Sequence, residues 1–274
     1  MLGNAALRVL ASSPGFEVFG SVRSPVVLNH LPAKVHPHVV AGIDAENPDS
    51  LTKILGQVKP DVVINCIGVV KQLSEADDPL ASVPLNSLLP HRLARACALA
   101  GARLIHLSTD CVFDGKAGNY VEADIPNATD LYGRSKLLGE VDYPNAITLR
   151  TSIIGRELAS NHGLIDWFLS QSGAVRGFRR AIFSGLPTVE LVRVIRDFVI
   201  PRSTLHGVFH VSASAISKYD LLTLVAEVYG KEIAIQPDDK LVLDRSLNSD
   251  KFSTATGYRA PEWPELIRMM RDFG

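Results

Sequence analysis

The sequence predicts a doubly wound α/β fold, a parallel sheet covered by helices on both faces, with a smaller C-terminal lobe attached. Three observations lead there. Continuous Val/Ile/Leu runs alternate with helical stretches from residue 16 to about 150, the signature of parallel strands buried on both faces. Right-handed crossovers then leave few topologies, the doubly wound one foremost. After Arg150 the rhythm loosens into shorter elements that fit a second lobe over the carboxyl ends of the strands.

Taken in order, the chain opens on "MLGNAALRVL", an amphipathic helix with Leu2, Ala6, Val9 and Leu10 on one face. "FEVFGSVR" (16–23) reads as a strand, "DSLTKILGQV" as a helix and "DVVINCIG" (61–68) as a fully buried strand. "LNSLLPHRLARACALAG" reads as a helix closed by Gly101, and "ARLIHLS" (102–108) as a second buried strand. "LYGRSKLLGEVDY" is a helix and "AITLR" (146–150) a strand. Beyond these, "GLIDWFLSQSG", "VELVRVIRDFVI", "SKYDLLTLVAEVYG" and "WPELIRMMRDF" read as helices, with "RAIFSGLPT" and "GVFHVSA" as strands. No repeat, low-complexity tract or long linker interrupts them.

The 274 residues suffice for a large core, and the net charge of −1 gives no reason to expect nucleic acid or an anionic membrane as a partner. No apolar run approaches the roughly 20 residues that span a bilayer. Cys66, Cys97 and Cys111 are widely spaced in apolar context and fit neither a disulfide framework nor a metal site. Buried, reduced thiols in a cytoplasmic protein are expected, and no metal.

The most informative stretch is "STDCVFDG…LYGRSK". Ser108, Thr109 and Asp110 fall at the carboxyl end of the strand "LIHLS", and Tyr132 and Lys136 stand four apart on one face of the next helix. A free phenol titrates near pH 10 and an adjacent ammonium lowers that value. A hydroxyl such as that of Thr109, directed at the same carbonyl oxygen, would stabilise negative charge there. Together these groups suit carbonyl reduction. His162, His206 and His210 show no ligand spacing, and Trp167 reads as a core residue.

On "INCIG", "NSLLPHRLARAC", "STDCVFDG", "YGRSK", "LRTSIIG", "FSGLPTVEL" and "GVFHVSA", the chain resembles the nucleotide-sugar branch of the short-chain dehydrogenase/reductase superfamily. Within it, the chain is most similar to the dTDP-4-dehydrorhamnose reductase family. The resemblance implies a Rossmann-like domain (1–154 with 186–212) and a substrate lobe (155–185 with 213–274). It implies Thr109, Tyr132 and Lys136 as the catalytic trio, with a nicotinamide carrying the hydride. Cofactor contacts are expected at Leu2, Gly3, Arg23, Asp44, Cys66, Ile67 and Gly68 as well as Tyr132 and Lys136. Thr109, Asp110, Arg150, Thr151, Ser184 and Thr188 are expected to face the nucleotide-linked sugar. Asn86 matches a helix asparagine of the family, which a satisfied polar group would equally explain.

Two departures refine this. Dehydratases of the superfamily carry Thr-Asp-Glu where this chain has Thr109-Asp110-Cys111, so reduction is favoured over loss of water, and Asp110 reads as a local backbone partner. Arg23 ends the second strand of the pattern, where NAD enzymes place an acid; a guanidinium suits a 2′-phosphate, so NADP is expected, with NAD the alternative. The family's Gly-x-x-Gly-x-x-Gly is represented by Gly3 alone. The first strand and two glycines, about ten residues of the usual unit, are expected to be absent from a shortened chain that binds cofactor poorly. The expected function is NADPH-dependent reduction of a nucleotide-linked 4-keto-6-deoxy sugar for polysaccharide precursors, in the cytoplasm, in a chain for which a homodimer is open. An epimerase with tightly bound NAD and a non-catalytic regulatory subunit are the competing readings.

Overall fold

The computed structural model describes residues 1–71 and 74–274. Helix α1 (Leu2–Ala11) is followed by β1 (Gly20–Val22) and β2 (Val39–Ala41), which pair in parallel, and then by α2 (Pro48–Val58) and β3 (Val62–Asn65). A helical run follows: α3 (Pro79–Ser82), a π-helical turn (Val83–Leu88) and α4 (Leu89–Leu99). Next come β4 (Arg103–Thr109), α5 (Leu131–Leu138) and β5 (Ala146–Thr151). Then β6 (Ile153–Ile154) precedes α6 (Leu164–Ser170), β7 (Ala174–Phe178), β8 (Ala181–Phe183), β9 (Leu186–Pro187) and α7 (Thr188–Val194). The chain closes with β10 (Gly207–His210), β11 (Ile216–Ser217), α8 (Lys218–Tyr229), β12 (Ala234–Asp238), β13 (Leu243–Asp244), α9 (Asp250–Thr256) and α10 (Trp263–Phe273).

The main ladder runs β10-β5-β4-β3, all parallel, with Leu104 opposite Ala146 and Ile64 opposite Ile105. Strands β1 and β2 form a separate ladder, and among the described residues no strand bridges β1 and β3. Helix α1 lies across both pieces. A Cβ at Gly20 of β1 would rest 3.5 Å from Leu7, and one at Gly3 would rest 3.5 Å from the Cβ of Cys66 just past β3. No helix is long and apolar enough to cross a membrane among the described residues.

The doubly wound plan matches the sequence-based expectation, but several details are corrected. The expected strand at 16–23 shrinks to Gly20–Val22, leaving Phe16 and Phe19 exposed. Strand β3 is not fully buried: Val62, Val63 and Ile64 are half-buried, because among the described residues one edge of β3 has no neighbouring strand to cover it. Strands β2, β7 and β12 and helix α9 carry too few apolar residues in phase to announce themselves. Of the cysteines only Cys97 is buried; Cys66 is exposed and Cys111 half-buried, since both sit on loops past strand ends. Burial in the packing of α4 on β4 pushes the Cys97 thiol up to about 11.

The largest core cluster joins Ile105, Ile147 and Leu149 of the sheet with α1, α7, α8 and α10. Helices α2 and α4 cover the other face through Leu51, Leu89, Leu93 and Ala94 against Leu104 and Ala146. Elements of the C-terminal part therefore share a core with the sheet.

Asn86, in the π-turn, is a fully buried clamp. Its Oδ1 accepts from the Val69 amide (3.0 Å), and its Nδ2 donates to the Val69 carbonyl (3.2 Å) and to Ser135 Oγ of α5 (3.2 Å). It thus fixes the loop after β3 to α5. Gly139 ends α5 against this turn, where a Cβ would collide with the Asn86 carbonyl. Asn86→Ala leaves the amide and carbonyl of Val69 unpartnered, at about 1–3 kcal/mol for each unsatisfied group. The expected result is a lower thermal midpoint, with faster amide exchange confined first to residues 66–70. Gly139→Ala is expected to cost about 1–3 kcal/mol by overpacking the same junction, measured by urea unfolding.

Candidate active site

Strand β4 carries a run of polar residues at its carboxyl end because there the covering helices give way to loops. Thr109 is the last residue of that strand, and its side chain caps the following turn: Oγ1 accepts from the Cys111 amide (3.1 Å) and donates to Asp110 Oδ1 (3.0 Å). Its hydroxyl proton is thus engaged locally. Asp110 is buried, and burial raises its carboxyl, opposed by Thr109 and by the charge of Arg245.

Helix α5 begins where Asp130 Oδ1 accepts from the Gly133 amide at 2.7 Å, an N-cap reinforced by Lys71 on Oδ2, also at 2.7 Å. Gly133 is required by a close approach, since a Cβ there would collide with the Cys111 carbonyl and with Ala128. Tyr132 is therefore pressed against the Thr109–Cys111 turn. Burial pushes its phenol above the ordinary value, Cys111 adds to this, and a side-chain hydrogen bond with Thr109 works against it.

Lys136 is buried, and its Nζ donates to the Leu107 carbonyl at 2.6 Å. Burial lowers it to about 8, with Glu140 opposing. These facts reverse one expectation. The phenol is raised, not lowered: burial acts first, with Cys111, Asp110 and Asp130 adding to it and Thr109 opposing, and the lysine is seated on a backbone oxygen.

The loop after β3 comes to the same place. A Cβ at Gly68 would stand 3.0 Å from Asn86 Oδ1 and 3.9 Å from Lys136 Nζ. Cys66, Ile67 and Gly68 are exposed there, with the Ile67 amide donating to Asn65 Oδ1 at 3.1 Å. Gly3, in the first turn of α1, abuts Cys66, and that turn has no side-chain cap, so its amides face the loop region free of one. Leu2 itself points into the core. Arg23 and Asp44 lie past the ends of β1 and β2 as an exposed ion pair at 4.0 Å. Gly3, the 66–68 loop and Lys136 therefore form one floor at the carboxyl end of the sheet, with Thr109 and Tyr132 at its side.

The remaining predicted residues do not join that floor through their side chains. Arg150 is 5 % exposed and committed to a bidentate pair with Glu140, Nε to Oε1 and Nη2 to Oε2 both at 2.7 Å, so it does not present its guanidinium to a sugar. Thr151 is buried and donates to the Ser152 carbonyl at 3.1 Å. Ser184 Oγ accepts from the Leu247 amide at 3.0 Å, tying two loops of the C-terminal part together. Thr188 is buried beside the start of α1, lining a recess with Met1, Asn4, Gly155 and Arg156. All four fall where a strand end is buried under later elements, which strand periodicity alone does not disclose.

Three cations missed in the sequence reading act on the site. The charges of Arg245 and Lys71 act on Cys111, and Lys218, at the start of α8, feels Asp110 and Cys111. Arg245 is held by donating from Nε to the Phe113 carbonyl at 2.8 Å. Separations from 40 to more than a hundred residues along the chain hid these pairings. Glu140 was within reach, since it follows Lys136 at the spacing of one helical turn. Among the described residues no group of three or more His, Cys, Asp or Glu is placed to hold a metal ion.

Comparison with known proteins bears on this geometry. A family model described as the RmlD substrate binding domain matches residues 25–256. A dTDP-4-dehydrorhamnose reductase of Mycobacterium tuberculosis is 36% identical over 135 residues, 42% of this chain and 44% of that protein. The chain thus spans under half the length of that curated relative. A dTDP-4-dehydrorhamnose reductase of Aggregatibacter actinomycetemcomitans is 24% identical over 249 residues, covering 85% of this chain and 82% of the relative. Among solved structures, the dTDP-4-dehydrorhamnose reductase of Bacillus anthracis in complex with NADP superposes with a TM-score of 0.76 at 18% identity, over 94% of this chain and 99% of that one. That likeness establishes the fold, a Rossmann-like α/β architecture. With most of its length matched by the family model, the chain belongs to the RmlD substrate-binding-domain family.

Proposed function

We propose that this protein is an NADPH-dependent reductase of a nucleotide-linked 4-keto-6-deoxy sugar, similar to dTDP-4-dehydrorhamnose reductase and serving polysaccharide precursor synthesis. The observation that carries the reading is the placement of Tyr132 against the Thr109 turn, with Lys136 one helical turn on and beside Gly68. Membership of the family and the names of its relatives support it. In the same proposal the protein works in the cytoplasm. Residues 1–154 with 186–212 hold the cofactor, and 155–185 with 213–274 close over the sugar.

The residues present fit a dinucleotide. The uncapped first turn of α1 offers amides to a phosphate, Arg23 offers an exposed cation for a 2′-phosphate, and the open 66–68 backbone leads to Lys136. A bound reduced nicotinamide supplies a hydride to the carbonyl carbon. Tyr132 gives its phenolic proton to the carbonyl oxygen, so the ketone becomes an alcohol and the phenolate regains a proton from solvent. A phenol whose proton is held by burial is present as the acid at neutral pH. Lys136 in its charged form stabilises the phenolate that results and holds a ribose hydroxyl. Thr109 turns its hydroxyl from Asp110 to the substrate oxygen.

The test is NADPH consumption with a dTDP-linked 4-keto-6-deoxy sugar. Tyr132→Phe is expected to lower kcat by about 10²–10⁴-fold, the usual worth of a positioned general acid. The sign of the pH dependence follows from Lys136. The ammonium is the active form, so activity is full below about 8 and declines as pH rises through that value. Arg23→Ala is expected to weaken NADPH about tenfold while leaving NADH unchanged, as loss of one charge-assisted contact predicts. An absence of NADPH consumption with any nucleotide-linked keto sugar overturns the reading.

A further inference from the structure

Glu140 stands where α5 returns to the sheet, one residue past the helix-ending Gly139. Its carboxylate is 7% exposed, and both oxygens are occupied. Oε1 accepts from Ser108 Oγ (2.6 Å) and from Arg150 Nε (2.7 Å), and Oε2 accepts from Arg150 Nη2 (2.7 Å). Ser108 immediately precedes Thr109 on β4, and Arg150 lies opposite Ser108 in the β4–β5 register. Arg150 Nη1 reaches His210 Nε2 on β10 at 3.2 Å, and His210 Nδ1 meets the Tyr120 carbonyl at 3.0 Å. As Nε2 accepts from arginine, Nδ1 carries the proton and donates. One carboxylate therefore gathers the ends of β4 and β5 directly, and β10 through Arg150, beneath the helix that bears Tyr132 and Lys136.

We propose that Glu140 is a positioning residue for Lys136, anchoring α5 to these strand ends and supplying the negative charge that keeps the ammonium seated on the Leu107 carbonyl. This rests on the reading of Lys136 as part of the catalytic machinery. Lys136 lies one turn before Glu140, and its buried side chain has a backbone oxygen as its polar partner. Burial drives the lysine toward its neutral form, and Glu140 is the group that opposes it. The other ionisable groups around α5 do not substitute for it. His106 on β4 is buried, and that burial, with the charges of Lys136 and His91 adding to it, lowers its ring well below the ordinary value. His91 on α4 is engaged with Tyr143 and the Leu138 carbonyl. Asp110 and Cys111 flank Tyr132, Asp130 is paired with Lys71, and Glu75 and Asp77 lie on the turn before α3. Arg150 stands behind Glu140 and the π-turn offers only Asn86 and Ser87.

The test reads Lys136 directly, with neither cofactor nor substrate. Protein labelled with ¹³C at lysine Cε is titrated by NMR, the Lys136 signal being assigned by its loss in Lys136→Met. The wild-type midpoint is expected near 8. In Glu140→Gln, which keeps the shape and removes the charge, it is expected to fall by about one pH unit, the effect of losing an opposite charge at close range. A purely structural role predicts the opposite sign: loosening of the junction admits water to Lys136 and raises the midpoint toward the ordinary 10.5. An unchanged or raised midpoint therefore overturns the proposal. Should the unpaired Arg150 prevent Glu140→Gln from folding, Glu140→Gln with Arg150→Met is compared with Arg150→Met alone, so that only the Glu140 charge differs. A midpoint no lower in the double variant than in Arg150→Met then overturns the proposal. In turnover, the alkaline limb of the Glu140→Gln pH profile moves to lower pH by the same amount. A protein that reduces no keto sugar yet shows the fall refutes the function and leaves the role of Glu140 standing.

Discussion

A carboxylate and a guanidinium, both almost wholly out of water, hold the working end of this sheet. Glu140 and Arg150 are 7% and 6% exposed, and they are stable there because the pairing is bidentate and the leftover capacity is used: Ser108 on one side, His210 on the other. A buried pair of this kind adds little net stability over an apolar one, whereas removing one partner costs about 3–5 kcal/mol. Its contribution is geometric. Parallel strands end together, and their last residues must be tied to one another if loops are to be aimed with precision. Here the tie runs β4, α5, β5 and β10 through four side chains, Ser108, Glu140, Arg150 and His210.

The same end of the sheet shows how close packing locates the chemistry. Gly133 lets α5 approach the Thr109–Cys111 turn, Gly139 lets it approach the π-turn, and Asn86 binds that turn to the loop after β3. Tyr132, Lys136 and Gly68 are set by backbone contacts that any Cβ would disturb. The lysine and tyrosine share a helix face, with the lysine seated on the Leu107 carbonyl. Each is governed chiefly by burial, which raises the phenol and lowers the ammonium.

Helix α1 has an unusual load. Among the described residues it spans the β1–β2 ladder and the four-stranded ladder without an intervening strand, with Leu7 on Gly20 and Gly3 on Cys66. Leu2, Ala5, Ala6, Val9 and Leu10 bury against the same core as Ile105 and Ile147. The half-buried faces of Val62, Val63 and Ile64 and the exposed Phe16 and Phe19 are the local consequence.

Much of this was legible in the residue order. Val/Ile/Leu runs separated by helical stretches fix a parallel sheet because only strands covered on both faces read that way. Tyr132 and Lys136 at one helical turn, after a hydroxyl-bearing strand end, point to the end of the sheet at which the candidate site is proposed. What tertiary structure alone decided is which polar residues are free. Arg150, Thr151, Ser184 and Thr188 sit at strand ends or loop turns in sequence just as Thr109 does, yet each is buried with its polar group turned to a neighbour or an inner recess. Glu140, Lys218 and Arg245 reach the site from segments whose local pattern says only "exposed charge". Periodicity reports which face of an element is apolar. Whether a polar atom on that element meets water, a ligand or a partner depends on contacts between separate elements, and those exist only once the chain has folded.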